Sequence, residues 1–234
     1  MLILYRISDG SYKKSREDYI SKEICLQNCV KEFGKHCDIK VIADNVSDET
    51  YNMVAKYIDK DNIEKVSVGH GAGTFNLALN MALMQKPNER IYFLEDDYIH
   101  APNSYDVLVE GFSMGFPYYT LYDHPDKYKD PSIGGNPLCQ GGAENTRVYL
   151  THSCHWKMTN STTMTFATNV RNLEEDEMVM RKWTRDKHPD DMHMFFELRK
   201  NQKMLLSPIP SYATHGDTGH ISPLRDWRKI ALDK

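Results

Sequence analysis

Short apolar runs rich in β-forming residues alternate with helical patterns through the first hundred residues, and this alternation restricts the possible fold most strongly. Strands are expected over Leu2–Ile7, Ile39–Ala43, Lys65–Val68 and Arg90–Leu94. Helices are expected from the Ser21 cap to Phe33, from Ser47 onward, and from Thr74 to about Met84. The alternation favours right-handed crossovers and a mixed, mostly parallel sheet flanked by helices, which is an α/β, Rossmann-like fold.

The second half of the chain is less regular. Helices are expected over Ser104–Gly115, Leu173–Arg185 and Asp190–Asn201, and strands over Tyr118–Tyr122, Arg147–His152, Thr162–Ala167 and Leu205–Leu206. We expect the strands Arg147–His152 and Thr162–Ala167 to pair with each other as a hairpin. The stretch Asp123–Asn145, rich in Pro, Gly and Asp, is too long for a simple connection, and we expect it to act as a lid over a substrate.

Composition limits the class of protein. With 234 residues, 40% apolar and 26% charged, the chain has ordinary globular values, and we expect a single domain over residues 1–234. A net charge of -4 argues against a nucleic-acid partner, which would normally require a basic excess. A substrate carrying phosphates stays possible, because a bound divalent cation can reverse the local sign of charge.

Cysteine usage and hydropathy suggest a location. The chain has five cysteines, an odd number without a C-x-x-C pair, and this is typical of reduced thiols. No apolar stretch approaches the roughly 18 residues of a membrane span, and the apolar run at the start is too short for a signal peptide. We therefore expect a cytoplasmic protein without a membrane span.

Three consecutive carboxylates, Glu95, Asp96 and Asp97, follow the fourth expected strand directly. Such a cluster repels itself unless a cation or hydrogen-bond donors compensate it. Side chains alternate along extended backbone, so Glu95 and Asp97 are expected on one face, where they could hold Mg²⁺ or Mn²⁺, while Asp96 turns away. The alternative is a solvated turn or an acid-rich helix start.

A late histidine, His215, lies after the last expected strand and beside a glycine, which permits close approach of the backbone. Imidazole suits Mn²⁺ and similar metals, so His215 is a candidate additional ligand. A single histidine is more often structural than a metal ligand, so both interpretations stay open.

The acidic pair Asp190 and Asp191 opens a helix. One of the two could cap this helix by accepting hydrogen bonds from free backbone N–H groups. The other could face a cleft and act as a general base for an acceptor hydroxyl.

Two weaker signals follow earlier strands. Asp44 and Asn45 could bind the base or the ribose of a nucleotide, although residues of these types also form turns. The glycine-rich run from Gly69 to Gly73, centred on Gly71, could approach a diphosphate and lead into a helix N-terminus. The run does not match the Walker phosphate-binding loop, so a flexible turn is the alternative.

Taken in order along the chain, these residues resemble the GT-A glycosyltransferases. More narrowly, they resemble the small glycosyltransferase domain at the N-terminus of a large chlorella-virus enzyme. The similarity rests on four stretches, Tyr5–Asp9, Val41–Val46, Phe93–His100 and Ser211–Gly216. These stretches run from the first strand to nearly the last turn, so the resemblance covers most of the chain.

The resemblance implies a single GT-A domain, with a nucleotide-binding half over residues 1–100 and an acceptor-binding half over residues 101–234. It implies a hexosyl- or deoxyhexosyltransferase that uses Mn²⁺ or Mg²⁺ and a nucleotide-sugar donor, most commonly a UDP-sugar, with a glycan or glycoprotein acceptor.

Residue roles are also carried over from the resemblance. Residues assigned to nucleotide-sugar binding are Tyr5, Arg6, Ser8, Asp44, Asn45, Gly71, Glu95 and Asp96. Asp97, Glu95 and His215 are assigned to the metal, with Asp97 as its direct ligand. Asp190 and Asp191 are assigned to the reacting centre. An inverting reaction would use a carboxylate base there, whereas a retaining one would not require it, and the sequence does not decide between them.

Two alternatives remain at this point. A sugar-nucleotide pyrophosphorylase would share the fold but would require a glycine-rich N-terminal loop, and residues 9–14 contain one glycine. An inactive carbohydrate-binding or virion structural protein would keep the fold and bind a glycan without dependence on metal or nucleotide.

Overall fold

The computed structural model describes residues 1–10 and 15–233. Residues 11–14, which belong to the N-terminal stretch considered for a pyrophosphorylase, lie outside this range. The strands are β1 Leu2–Ser8, β2 Asp38–Asp44, β3 Ile63–Val66, β4 Arg90–Glu95, β5 Tyr98–His100, β6 Tyr118–Tyr119, β7 Val148–Leu150, β8 His155–Thr159, β9 Phe166–Asn169, β10 Leu205–Ile209 and β11 Ala213–His215. The helices are α1 Lys22–Phe33, α2 Asp48–Val54, α3 Gly71–Leu83, α4 Ser104–Ser113, α5 Val170–Trp183, α6 Asp191–Lys200 and α7 Trp227–Leu232.

Nine of the described strands form one mixed sheet in the order β3-β2-β1-β4-β9-β6-β10-β8-β7. The first four are parallel to one another, as the strand–helix alternation predicts. β9 then joins β4 and β6 antiparallel, and β10 returns parallel to β6. The expected α/β fold, with a mostly parallel mixed sheet flanked by helices, is confirmed.

The two faces of the sheet carry separate apolar layers, and β1 shows how the sequence builds them. Ile3, Tyr5 and Ile7 pack into the layer that contains side chains of α1, α2 and α4. Leu2 and Leu4 pack into the opposite layer, with side chains of α3, α5 and α6. Because side chains alternate along a strand, neighbouring residues of β1 belong to different layers.

Strand pairing in the second half differs from the expected hairpin. β7 pairs antiparallel with β8, His155–Thr159, a strand that the sequence did not reveal. The other expected partner becomes β9, which lies between β4 and β6 in the middle of the sheet. β10 also continues past the expected end through Pro208 to Ile209, paired with β8. The predicted hairpin was therefore wrong, because β7 pairs with the neighbouring β8, and β9 pairs with the more distant β4 and β6.

The long stretch between β6 and β7 packs against the body of the protein through buried charges. Lys157 of β8 pairs with Asp123 at 2.8 Å and Glu144 at 3.4 Å, and all three side chains are at most 4% exposed. Lys127 is buried and donates to Ser161 at 2.8 Å. These contacts anchor both ends of the stretch for which the sequence pattern suggested a lid.

A second, two-stranded sheet pairs β5 with β11 antiparallel, beside the carboxyl end of β4. The C-terminal α7 packs over α1 and β5, with Trp227 buried against Ile99 and Cys25. This small layer fixes the C-terminal part of the chain close to the acidic cluster.

No helix in the described residues is long and apolar enough to cross a bilayer. All five cysteines lie in the described part of the chain, and each is a free thiol. Cys25 and Cys29 are fully buried in the core.

Candidate active site

A cleft with a volume of about 550 Å³ opens at the carboxyl ends of the parallel strands. Its walls include the ends of β1, β2 and β4, the first turn of α3, the start of α6 with the residues before it, and the turn after β11. Both halves of the chain therefore contribute to one cavity, at the edge where open α/β sheets bind ligands.

The acidic cluster lies where β4 ends: Glu95 is the last residue of the strand, Asp96 and Asp97 form the turn to β5, and all three residues line the cleft. Asp96 was expected to turn away, but the strand ends at Glu95, so strict alternation does not continue into the turn. The Ser8 backbone N–H donates to Asp96 at 3.2 Å. Burial and the neighbouring Asp97 raise the pKa of Asp96 to about 6. Glu95 pairs with Arg6 at 3.3 Å.

The β5–β11 ladder brings His215 to Asp97. In its register, His215 lies opposite Tyr98, the residue after Asp97. The Nε2 atom of His215 is 3.4 Å from the Oδ2 atom of Asp97, and the Gly216 N–H donates to the Asp97 carbonyl at 2.7 Å. A β-carbon on Gly216 would lie 2.9 Å from that carbonyl oxygen and 2.6 Å from Ile20 Cγ2. The glycine beside the histidine thus permits the close approach that its sequence position suggested.

Arg6 and Tyr5 illustrate the effect of strand alternation on the predicted site. Arg6 is 6% exposed and lines the cleft, where its guanidinium donates to the carbonyls of Gly71 and Met164, both at 3.2 Å. Tyr5 points to the opposite face and is 1% exposed in the core with α1. The structure therefore places Arg6 in the cleft wall and Tyr5 outside it. Ser8, at the end of the same strand, lines the cleft.

Asp44 organises the turn before α3. Its carboxylate accepts hydrogen bonds from the backbone N–H groups of Val68 at 2.6 Å and Gly69 at 2.9 Å. Gly69 has a φ of +81°, a left-handed conformation that favours glycine. Gly71 then begins α3 in the cleft wall. Asn45 is exposed and does not line the cleft, but its side-chain amide donates to the Asp44 carboxylate at 3.3 Å.

The two acidic residues at the start of α6 take different positions. Asp190 caps the helix, its carboxylate accepting from the His193 N–H at 3.1 Å, and its side chain does not line the cleft. Asp191 is partly buried in the cleft wall. Loss of hydration, reinforced by the charge of Glu95, raises the pKa of Asp191 to about 7. Of the pair, Asp191 has both the position and the proton affinity of a general base near neutral pH.

Several residues of the cleft were missed by the sequence analysis. They are Arg16, His124, Lys187, Asp217 and His220. Asp217 and His220 follow His215 with the spacing H-x-D-x-x-H, a local signal that could have identified them. The other three come from segments without a motif, and only the fold brings them to the cleft.

The donor atoms at one end of the cleft fit a divalent cation. His215, Asp217 and His220 present ligand atoms that all lie within 4.8 Å of one another. The Oδ2 atom of Asp97 is also 3.4 Å from the Nε2 atom of His215, so carboxylate oxygens and imidazole nitrogens lie close together there. This mixture of donors suits Mn²⁺ and similar ions.

No protein-family model matches the chain, and no curated protein matches its sequence. Among solved structures, the chain is similar to S. aureus TarS 1–349 in complex with UDP-GlcNAc, with a TM-score of 0.52 and 12% identity. That alignment covers 97% of this chain and 60% of the TarS chain, so this protein spans less than two thirds of it.

Two further structures align with lower scores. A197 from STIV has a TM-score of 0.48 and 15% identity, over 97% of this chain and 92% of A197. The galactosyltransferase LgtC, in complex with donor and acceptor sugar analogues, has a TM-score of 0.48 and 10% identity, over 88% of this chain and 73% of LgtC. At these identities the similarity concerns the fold alone. The fold shared with TarS is the α/β architecture, with a mostly parallel mixed sheet flanked by helices, that the sequence predicts.

Proposed function

We propose that the chain is a metal-dependent glycosyltransferase that moves a sugar from a nucleotide-sugar donor to a carbohydrate acceptor. A UDP-sugar is the first candidate for the donor. The observation that carries the proposal is the convergence of the acidic turn, Arg6 and His215 in one cleft at the carboxyl ends of the parallel strands. The shared fold of TarS, whose crystal structure contains UDP-GlcNAc, supports the choice of donor.

Asp97 and His215 would hold the cation, Mn²⁺ or Mg²⁺, with Asp217 and His220 available as further ligands. A bound cation would neutralise the charge that develops on the departing diphosphate. The inclusion of two imidazoles in this group favours Mn²⁺, because Mg²⁺ prefers oxygen ligands. Glu95, which pairs with Arg6, would lie nearer to the ribose or the transferred sugar.

The nucleotide would bind along the ends of β1 and β2, in the half of the chain assigned to it from the sequence. Arg6 is fixed by two backbone carbonyls and by Glu95, so its position is set before any ligand arrives. Ser8 and Asp96 are joined by a hydrogen bond at the same edge. Asp44 fixes the turn that leads to Gly71, where backbone can approach a phosphate closely.

Asp191, in the second half of the chain, would accept the proton of the acceptor hydroxyl. Its raised pKa, about 7, makes it a stronger base than an ordinary aspartate while leaving a useful ionised fraction at neutral pH. A base in this position corresponds to an inverting reaction. Asp190 would support it indirectly, by capping the helix on which Asp191 lies.

Calorimetric titration of UDP in the presence and absence of Mn²⁺ tests the proposal. We expect binding that depends on the metal in the wild type and is lost in Asp97→Asn, because the variant lacks one anionic ligand. Glu174→Gln, on the exposed face of α5, is the matched control and should bind as the wild type does.

A wild-type chain that binds neither UDP, GDP nor dTDP with Mn²⁺ would refute the transferase proposal. Glycan binding independent of metal and nucleotide would instead identify a carbohydrate-binding protein. The narrower resemblance to a chlorella-virus domain, and the cytoplasmic location, stay predictions from the sequence.

A further inference from the structure

Arg16 lies at the mouth of the cleft and already contacts the candidate metal ligand. Its guanidinium is 3.7 Å from the Oδ2 atom of Asp97, the same oxygen that faces His215 at 3.4 Å. The Asp97 side chain is 3% exposed, whereas that of Arg16 is 24% exposed. A cation held by Asp97 and His215 would therefore lie close to the positive charge of the Arg16 guanidinium, which contacts the same carboxylate.

The backbone at Arg16 is anchored beside this site. Arg16 forms an isolated antiparallel bridge with Asp217, and the Thr218 N–H donates to the Ser15 carbonyl at 2.9 Å. These contacts tie residues 15 and 16 to the turn after β11. The long side chain can consequently change partners while its own backbone stays at the cleft mouth.

Two other basic side chains in this part of the chain have different partners. Arg6, in the cleft wall, is held by Glu95, and Lys22, at the start of α1, pairs with Asp9. Arg16 differs because its partner, Asp97, is the carboxylate that a divalent cation would use. Like charges at contact distance repel, so a cation on Asp97 weakens the hold of that carboxylate on Arg16. A diphosphate offers the released guanidinium a better acceptor, because phosphate oxygens match its planar donors.

We propose that Arg16 occupies Asp97 in the nucleotide-free chain and transfers to the donor's diphosphate when the cation and the nucleotide bind. This inference rests on the proposed function and adds a binding residue to it. Arg16 then opposes binding of the cation alone and favours binding of the cation with the nucleotide. Metal and nucleotide therefore bind cooperatively, and the cooperativity depends on Arg16.

Two titrations on Arg16→Gln test this exchange. With Mn²⁺ alone, the variant should bind the metal about three- to tenfold more tightly than the wild type, since a partly exposed ionic competitor is gone. With UDP at saturating Mn²⁺, the variant should bind the nucleotide roughly tenfold more weakly, because one charge-assisted contact is lost. A merely structural role for Arg16 would not produce effects of opposite sign.

Two further variants complete the design. Arg16→Lys keeps the charge without the planar fork, so it should bind Mn²⁺ as the wild type does and UDP with intermediate affinity. Arg228→Gln removes an exposed arginine that pairs with Asp18 and does not line the cleft, and it should change neither affinity. Far-ultraviolet circular dichroism confirms that each variant is folded.

Each outcome has a separate meaning. If Arg16→Gln binds Mn²⁺ as the wild type does or more weakly, Arg16 does not compete with the cation for Asp97. If Arg16→Gln binds UDP as the wild type does, Arg16 does not move to the diphosphate. Both results leave the proposed function intact if the wild type binds UDP with Mn²⁺. A wild type that binds no nucleotide refutes the proposed function itself and this inference with it.

Discussion

Replacement of Asp191 by asparagine should stabilise the protein above neutral pH while removing its candidate base. The carboxyl of Asp191 has a pKa of about 7 in the folded chain against an ordinary value of 3.8, mainly because burial penalises its charged form. Between these two values the folded state binds more protons at this position than the unfolded state does. Stability therefore falls as the pH rises from about 4 to about 7, and the loss is complete above the folded pKa.

The size of the effect follows from the same two values. Each pH unit in this window is worth about 1.4 kcal/mol, so the full penalty at pH 8 is about 4 kcal/mol. Because Asp191 is partly open to water in the cleft, screening should reduce this to about 2 kcal/mol. The amide of Asp191→Asn has nearly the same shape and cannot ionise, so the variant escapes the penalty.

Urea denaturation at pH 5 and pH 8 measures the prediction. The free energy of unfolding of Asp191→Asn should exceed that of the wild type, and the excess should grow by about 1–3 kcal/mol between the two pH values. Asp61→Asn, which changes an exposed acid far from the cleft, should show no such growth. A variant that is less stable than the wild type at pH 8, or an excess independent of pH, would refute the explanation of the raised pKa.

Two further substitutions test how the site is supported. Gly216→Ala places a β-carbon 2.9 Å from the Asp97 carbonyl oxygen. The substitution should lower the free energy of unfolding, measured by thermal denaturation, by about 1–3 kcal/mol and should weaken Mn²⁺ binding. If neither quantity changed, the close packing at Gly216 would be contradicted. Lys157→Met leaves two buried carboxylates without their cation and should cost about 3–5 kcal/mol in urea denaturation. Lys31→Met, at an exposed lysine, is the control for the second test, and equal losses in both variants would exclude a special role for the buried pair.

Local patterns predicted the first half of the fold well because its signals are contained within short segments. The oxygens of Ser21 and Ser47 cap α1 and α2, accepting from backbone N–H groups three residues ahead. The apolar run before Glu95 forms β4, and the acidic cluster follows at the carboxyl edge of the sheet. Propensity, capping and strand–helix alternation agree in this region, so its helices and strands could be predicted without knowledge of contacts between distant residues.

The second half depended on contacts that the sequence does not display. β8 was missed although one of its partners, β7, lies directly before it in the chain. β9 was assigned to a hairpin with β7, but it pairs with β4, which lies far away in the chain. Strand alternation alone places Tyr5 and Arg6 on opposite faces of β1, so the sequence did contain a signal that separates Tyr5 from the candidate site. Arg16 and Lys187 had no local signal at all.

The sequence by itself determined the class of fold, the position of the acidic turn at the end of a strand, and the candidacy of His215 and Asp191. Only the tertiary structure decided that these residues share one cleft, that Asp190 is a cap, and that Arg16 contacts Asp97. The reason is physical. Hydrogen-bonded helices and apolar alternation are short-range properties of a chain, whereas a site is made where strands and turns far apart in sequence pack together, here through the β5–β11 ladder.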